Sequence, residues 1–262
     1  MRFARYLVYG RETYGLVEGE VLVDLAGNPF DGWERTDLTR PLGEVRLLAP
    51  LVPGTFYAAG LNYADHVTAM ANTKGEVPSL PPAADIGQRA VNAVCGPGDP
   101  IRIPVDASDE VQYEAELVVV IGRQARNLTH ANCLDCVLGY TIGNDVSERR
   151  WQREDRTMWR AKNCDSFAPM GPWIETDFDP AGPATTTVKL NGETCIAFPT
   201  ANMIFSVADF LVRMSRYVTL YPRDMIWMGT EGKSRNMVHG DVCAITIDGI
   251  GTLSNPVIRE SV

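Results

Sequence analysis

The segment from Val111 to Ile121 constrains the fold of this chain more than any other, because it joins a β-branched run to two acidic residues. Such residues favour a β-strand, and Gly122 marks where the run ends. Side chains alternate between the two faces of a strand, so Glu114 and Glu116 lie on the same face. Residues 118–121 are apolar on both faces, which predicts a strand that runs into the core.

Paired carboxylates at the start of a buried strand repel each other and lose hydration. A hard cation relieves both effects, and oxygen ligands suit Mg²⁺, Mn²⁺ or Ca²⁺ better than Zn²⁺. An edge strand with one solvated acidic face is the alternative that Glu114 and Glu116 alone leave open. Asp145 follows a second apolar strand at 138–142, so three carboxylates converge if the two strands are neighbours. Taken alone, Asp145 would instead cap a turn.

Composition narrows the class of protein. The 262 residues suffice for one large domain, or for a small domain followed by a larger one. The net charge is −9, from 24 basic and 33 acidic residues without a basic cluster, which disfavours a nucleic-acid partner, and we expect none. No apolar run approaches the ~18 residues of a membrane span. Since residues 1–10 do not resemble a signal peptide, we expect a cytoplasmic protein whose six cysteines are thiols.

Turn signals divide the chain. Short β-like runs separated by glycines fill residues 1–50, which predicts a small N-terminal β domain followed by a second domain over 51–262. Residues 67–99 lack regular patterning and contain several prolines and glycines, which is typical of a functional loop such as an active-site lid. The pattern as a whole predicts a β-rich α+β fold with mostly antiparallel pairing.

The second half of the chain carries three clear local signals. Helices are predicted at 130–137 and 207–216, and Asn191-Gly192 predicts a β-hairpin. Cys133 and Cys136 would then lie buried on one side of the first helix. We favour that interpretation over a redox pair or half of a zinc site, because a second cysteine pair is missing.

Six short motifs recur here in an order and spacing that resemble the fumarylacetoacetate hydrolase family, over roughly residues 50–260. They are Asn62-Tyr-Ala-Asp-His66, Tyr113-Glu-Ala-Glu116, Gly143-Asn-Asp-Val-Ser147, Asn191-Gly-Glu193, Met203-Ile-Phe-Ser206 and Gly240-Asp-Val242. The resemblance implies a mixed β-sandwich roll, usually as a homodimer. It implies that Glu114, Glu116 and Asp145 hold one Mg²⁺ or Mn²⁺ per subunit, and that the substrate is a small 2-oxo acid with a second carbonyl or enol.

Further site residues follow from the matching motifs. Lys162 matches the family's active-site lysine, which can stabilise an oxyanion, and His66 matches its candidate general base. A histidine with an ordinary pKa near ~6.5 can take a proton at neutral pH. Without the resemblance, Lys162 would be read as a surface residue and His66 as a structural one. The positions expected to bind substrate are Thr230, Arg149, Gln152, Tyr63 and Arg89.

Departures from the family pattern bear on the reaction. Ala69 stands where hydrolytic relatives often have a glutamate that orients the histidine, and Glu76 could replace it only if residues 67–99 fold back. Glu231 replaces the proline usual after the Gly-Thr pair.

The leading prediction is metal-dependent hydrolysis of a C–C bond in an acylpyruvate-like 1,3-dicarbonyl acid, through a metal-stabilised enolate, in catabolism of aromatic or related compounds. The first alternative is a decarboxylase or enol–keto isomerase of 2-hydroxy-dienedioates or oxaloacetate. A sugar-acid dehydratase and a ligand-binding protein without activity complete the alternatives.

Overall fold

The N-terminal strands form an antiparallel meander. The computed structural model describes residues 1–261. Its first five strands are β1 (Arg2–Val8), β2 (Arg11–Glu18), β3 (Val21–Asn28), β4 (Gly32–Pro41) and β5 (Arg46–Leu47). Strands β1 to β4 pair in sequence and β5 pairs with β1, so the short β-like runs of residues 1–50 form antiparallel strands.

The remaining elements complete the main sheet and supply a second sheet, a two-stranded pair and four α-helices within residues 1–261. In the middle of the chain they are β6 (Phe56–Ala59), α1 (Ala64–Lys74), β7 (Ile86–Arg89), β8 (Val94–Cys95), β9 (Ile101–Ile103), β10 (Val111–Gln112), β11 (Ala115–Ile121), β12 (Val137–Asn144), β13 (Ser147–Glu148), α2 (Arg149–Glu154), α3 (Trp159–Asn163) and β14 (Ala168–Glu175). The last are β15 (Thr185–Leu190), β16 (Glu193–Pro199), α4 (Val207–Met214), β17 (Met225–Trp227), β18 (Val242–Ile247) and β19 (Gly251–Arg259). None of the helices in the described part of the chain is long and apolar enough to cross a membrane.

The main sheet has twelve strands. Ten of them follow the order β4-β3-β2-β1-β14-β12-β11-β17-β6-β7, with β5 beside β1 and β8 beside β14. A five-stranded sheet, β16-β15-β18-β19-β9, shares a hydrophobic core with the centre of the main sheet, and β10 pairs with β13. Pairing is antiparallel except at β17–β6, β14–β8 and β19–β9. The β-rich α+β prediction with mostly antiparallel pairing is confirmed.

Strand β11 is buried on both faces, as its sequence predicts. Leu117, Val119 and Ile121 belong to the core shared with the five-stranded sheet. Val118 and Val120 belong to a second core on the opposite face. The predicted continuous strand over 111–121 is wrong in one respect, because it breaks between β10 and β11 at the position of the first acidic residue.

Two predictions of local structure are wrong. The irregular stretch 67–99 contains most of α1 and all of β7. Helix α1 escapes notice because its apolar residues, mostly alanines, form no pronounced stripe; Val67 and Ala71 are its buried hydrophobic residues. The predicted helix at 130–137 is only a 3₁₀ turn at Cys133–Cys136, since Val137 already begins β12.

Three other predictions of local structure hold. Cys133 and Cys136 are both buried, although on a turn rather than a helix, and all six cysteines are free. The Asn191-Gly192 hairpin is confirmed, with positive φ at both residues (54° and 83°), as a type I′ turn requires. Helix α4 forms within 207–216 and begins with a capping box at Ser206.

Candidate active site

Three carboxylates converge where β11 and β12 lie side by side. Glu114 precedes β11, Glu116 lies within it, and Asp145 follows β12. One carboxylate oxygen of each lies within 4.8 Å of the others, and all three residues are buried, with exposed fractions of 5%, 3% and 2%. The condition set by the sequence, that the two strands be neighbours, is met.

Backbone contacts fix this convergence. The Glu114 amide donates to the Asn144 side chain at 3.0 Å, and the Asp145 amide donates to the Glu114 carbonyl at 2.9 Å. Opposite Glu116 in the ladder stands Gly143, where an added Cβ would lie 2.5 Å from the Trp227 ring. Close packing therefore requires a glycine at position 143, which explains the first residue of the Gly143-Asn-Asp-Val-Ser147 motif.

Two cationic side chains neutralise Glu114. The Lys162 ammonium lies 2.7 Å from both Glu114 Oε2 and Asp145 Oδ2, and Arg149 lies 2.6 Å from Glu114 Oε1. Lys162 is only 4% exposed, so it is a buried site residue rather than a surface lysine. Burial opposes ionisation of Glu114, yet the Lys162 and Arg149 charges hold its pKa well below the usual range.

Glu116 has the opposite electrostatic environment. Burial raises its pKa well above the usual value, and the charges of Asp145 and Glu114 raise it further. A hydrogen bond of 2.8 Å from the Gly229 amide opposes this effect only in part. Further positive charge beside Glu116 would lower its pKa and stabilise the ionised carboxylate. An oxygen-only site with one uncompensated carboxylate fits a hard divalent cation.

His66 lies in the first turn of α1, against the loop that contains Gly229. Its Nδ1 lies 3.2 Å from the Thr230 carbonyl oxygen. The loop passes so close that a Cβ on Gly232 would lie 2.4 Å from His66 Cγ. Burial lowers the pKa of His66, which the charge of Glu114 and the bond to Thr230 offset only partly.

Most of the predicted site residues line one cavity of about 200 Å³. From the predicted set it contains His66, Lys162, Glu114, Glu116, Asp145, Thr230, Gln152 and Arg89. Arg89 extends from the edge strand β7 and approaches Asp145 at 3.3 Å and 3.4 Å. The charge of Asp145 raises the pKa of Arg89, which keeps its guanidinium protonated.

Two residues expected to contact substrate are absent from the cavity lining. Tyr63 is 2% exposed, and its hydroxyl donates to the Thr200 carbonyl at 2.7 Å, so it braces the fold instead. Arg149 is not among the lining residues, and its Nη1 contacts the Glu114 carboxylate at 2.6 Å. Glu76 cannot orient His66, because α1 separates them by more than two turns, about 12 Å at 1.5 Å per residue.

Some lining residues were not assigned from the sequence. Asn62 donates to the Phe205 and Met228 carbonyls at 3.1 Å and 2.9 Å, and it also lines the cavity. Met70 lies one helical turn after His66, a spacing that would have indicated it had α1 been predicted. Met158 has a φ of 55°, and no local sequence signal distinguishes it.

Comparison with known proteins identifies the family. Residues 55–258 match the model described as fumarylacetoacetate (FAA) hydrolase, C-terminal, and residues 1–50 match one described as Rv2993c-like, N-terminal. The chain therefore belongs to the fumarylacetoacetate hydrolase family.

Individual relatives span nearly the whole chain. Protein Rv2993c of Mycobacterium tuberculosis is 41% identical over 239 residues, which cover 90% of this chain and 88% of that protein. The mitochondrial oxaloacetate tautomerase fahd2 of Xenopus laevis is 34% identical, covering 82% and 69%.

Solved structures agree. That of 2-hydroxyhepta-2,4-diene-1,7-dioate isomerase from Mycobacterium marinum has a TM-score of 0.89 at 36% identity, with both chains fully covered. That of maleylpyruvate hydrolase from Sphingobium sp. SYK-6, in complex with manganese(II) ion and pyruvate, has a TM-score of 0.80 at 25% identity, again with both chains fully covered.

Proposed function

We propose that this protein is a divalent-cation-dependent enol–keto isomerase of a small 2-oxo dicarboxylic acid, of the oxaloacetate or 2-hydroxy-dienedioate type. The orientation of His66 carries this proposal. Its ring is held by a backbone carbonyl, and no carboxylate of residues 1–261 lies within ion-pair distance of it. An enol–keto shift needs a base that takes one proton and returns it, whereas hydrolysis also requires that base to activate water.

The three carboxylates would hold one Mg²⁺ or Mn²⁺ per subunit. When bound there, such a cation supplies Lewis-acid stabilisation of negative charge on the oxygens of a 2-oxo acid. Glu114, Glu116 and Asp145 suit this role because they are buried, close together and short of positive charge at Glu116.

His66 provides the proton transfer. Because the Thr230 carbonyl can only accept, Nδ1 carries the proton and Nε2 is the basic nitrogen. The lowered pKa keeps the ring neutral at pH 7, ready to take a proton. In this role His66 moves a proton to or from the carbon beside the 2-oxo group.

Charge and size favour a small dianion. Lys162, Arg149 and Arg89, together with a dication, exceed the three carboxylates by two positive charges. The cavity of about 200 Å³ corresponds to about seven water volumes of ~30 Å³ each, room for a compact dicarboxylate. Thr230, which is buried and lines the cavity, would bind one carboxylate. The names of two relatives, an oxaloacetate tautomerase and a dienedioate isomerase, support the same class.

Product analysis tests the reaction. Purified protein with Mg²⁺ is incubated in D₂O with oxaloacetate, a 2-hydroxy-dienedioate or an acylpyruvate, and ¹H NMR follows the products. We expect faster enol–keto interconversion and deuterium entry beside the 2-oxo group, without release of a second acid. Release of pyruvate plus a free acid from the acylpyruvate, with no effect on the other two compounds, would contradict the isomerase.

Hydrolysis of an acylpyruvate, the leading prediction from the sequence, is the second candidate. It is supported by the likeness to a maleylpyruvate hydrolase in complex with manganese(II) and pyruvate, and by the free ring nitrogen of His66. In that case a group other than residue 69 must assist His66.

Four further predictions accompany the proposal. They are a cytoplasmic location, a homodimer, a role in catabolism of aromatic or related compounds, and a division into domains at 1–50 and 51–262. Light scattering of the purified protein tests the predicted homodimer directly.

A further inference from the structure

A chain of hydrogen bonds leads from the surface to the cavity through Arg149. Gln112 donates from Nε2 to Asn236 Oδ1 at 2.8 Å, and its Oε1 accepts from Arg149 Nε at 2.8 Å. Arg149 Nη1 in turn donates to Gln152 Oε1 at 2.8 Å while it also contacts Glu114. Gln152 lies at the cavity, whereas Gln112 is half-buried on β10 outside it.

The direction of this chain is set by the guanidinium group. An arginine has only N–H donors, so every atom that faces it must be an acceptor. Both glutamines therefore turn their oxygens toward Arg149. The Gln152 oxygen is thereby occupied, and the amide nitrogen remains to face the cavity, with the Met158 sulfur 4.0 Å away. Gln152 presents N–H donors, the groups that an anionic oxygen of a substrate requires.

We propose that Gln112 is a positioning residue for substrate binding, and that it acts through Arg149 on the orientation of the Gln152 amide. This inference depends on the proposed function in one respect: the cavity must bind an oxygen-rich anion. Without Gln112, the Arg149 guanidinium loses its Nε acceptor and can pivot toward Glu114, its charged partner. The Gln152 amide is then free to flip, and its oxygen would repel the anion.

Backbone pairing holds Gln112 in place. Residues Gln112 and Ser147 are paired between β10 and β13, and β13 leads directly into α2, the helix that carries Arg149 and Gln152. Gln112 also forms a bridge to Asn236. The backbone fixes its position independently of the side chain, so replacing the side chain leaves this framework intact.

A double-mutant cycle tests the proposal. Gln112→Met keeps side-chain length and removes both polar groups; Gln152→Ala removes the amide. We expect each to raise KM for oxaloacetate about tenfold, the effect of losing one hydrogen bond to a charged group, with kcat within about twofold. The double variant should show no further rise, because both changes remove the same interaction. Independent, multiplying effects would overturn the proposal, as would an unchanged KM in Gln112→Met.

Two further variants sharpen the result. Gln112→Glu keeps an acceptor for Arg149 and should return KM to within about threefold of wild type; a KM like that of Gln112→Met would overturn the proposal. Gln124→Met, at an exposed glutamine beyond β11, is the matched control and should match wild type.

The same cycle can be run without turnover. Calorimetric titration with oxalate, an unreactive dianion with adjacent carboxylates, in Mg²⁺ gives a Kd for each variant. Non-additive losses of oxalate affinity support the positioning role even for a protein that does not isomerise oxaloacetate. Additive losses contradict it even for an active isomerase.

Discussion

Replacing Lys162 by methionine separates the electrostatics of the site from its chemistry. The buried ammonium contacts Glu114 and Asp145 at 2.7 Å each, and methionine keeps most of the lysine's length without the charge. Removing one partner of a buried ion pair costs about 3–5 kcal/mol, because the other charge stays buried. At about 2–4 °C per kcal/mol for a chain of this size, the melting temperature in EDTA should fall by roughly 6–20 °C.

Mg²⁺ should reverse part of this loss. A ligand that binds only the folded state stabilises it by mass action, and in the variant the cation no longer competes with an ammonium for the same carboxylates. The rise in melting temperature on adding Mg²⁺ should therefore be larger for Lys162→Met than for wild type. Activity should stay low if Lys162 has its proposed role, because the charge that would stabilise a developing oxyanion is gone.

Scanning calorimetry in EDTA and in excess Mg²⁺ measures both effects. Lys189→Met, at an exposed lysine on β15, is the control and should lie within about 0.5 kcal/mol of wild type in both buffers. A Lys162→Met protein as stable as wild type in EDTA would refute the electrostatic account. A Mg²⁺ shift no larger than that of wild type would refute the competition between lysine and cation.

Three further predictions concern His66 and its surroundings. Gly232→Ala should lower kcat/KM about 100-fold, because the added Cβ would displace His66. The control is Gly240→Ala, which has a similar φ (94° against 88° at Gly232) and nothing within 4 Å of the added Cβ, so this variant should remain active. Equal losses in the two variants would exclude the contact between residue 232 and His66 as the cause. Because burial lowers the pKa of His66 and the base must be neutral, kcat/KM should fall with decreasing pH only below about 6.5, and a fall centred above 7 in a pH–rate profile would contradict this assignment. Asn62→Ala should lower the free energy of unfolding by about 3 kcal/mol in urea titrations, since it leaves buried backbone groups unpaired; a loss under 1 kcal/mol would show that these bonds are weak.

The carboxylate site could be predicted because its information is local. The short spacing in Glu-Ala-Glu keeps Glu114 and Glu116 together at the start of β11, and Asp145 follows an apolar run that must pair with a neighbour. The buried hydrophobic centre of β11 leaves few alternatives for where its acidic end lies. The convergence of the three carboxylates still depends on the pairing of β11 with β12, because periodicity does not identify the partner of a strand.

Other parts of the site depend on contacts that sequence patterns do not record. Helix α1 has no pronounced apolar stripe, so its sequence pattern does not predict a helix and leaves His66 at the start of an apparent loop. Gly232 and His66 lie in close contact although they are 166 positions apart in the sequence. The residues around neither of them predict this contact. Tyr63 was assigned to the substrate by its motif, but burial and a backbone carbonyl decided its position.

The conversion rate of the oxaloacetate enol, followed by its ultraviolet absorbance at pH 7.5, tests the central claim most directly. Wild type with Mg²⁺ should accelerate the decay of the enol, and EDTA should abolish that acceleration. Glu116→Ala should remain slow even in Mg²⁺, because one of three carboxylates is missing, and His66→Ala should be slow because the base is missing. Equal rates in EDTA and Mg²⁺, or a Glu116→Ala protein as fast as wild type, would contradict the proposed cation-dependent isomerase.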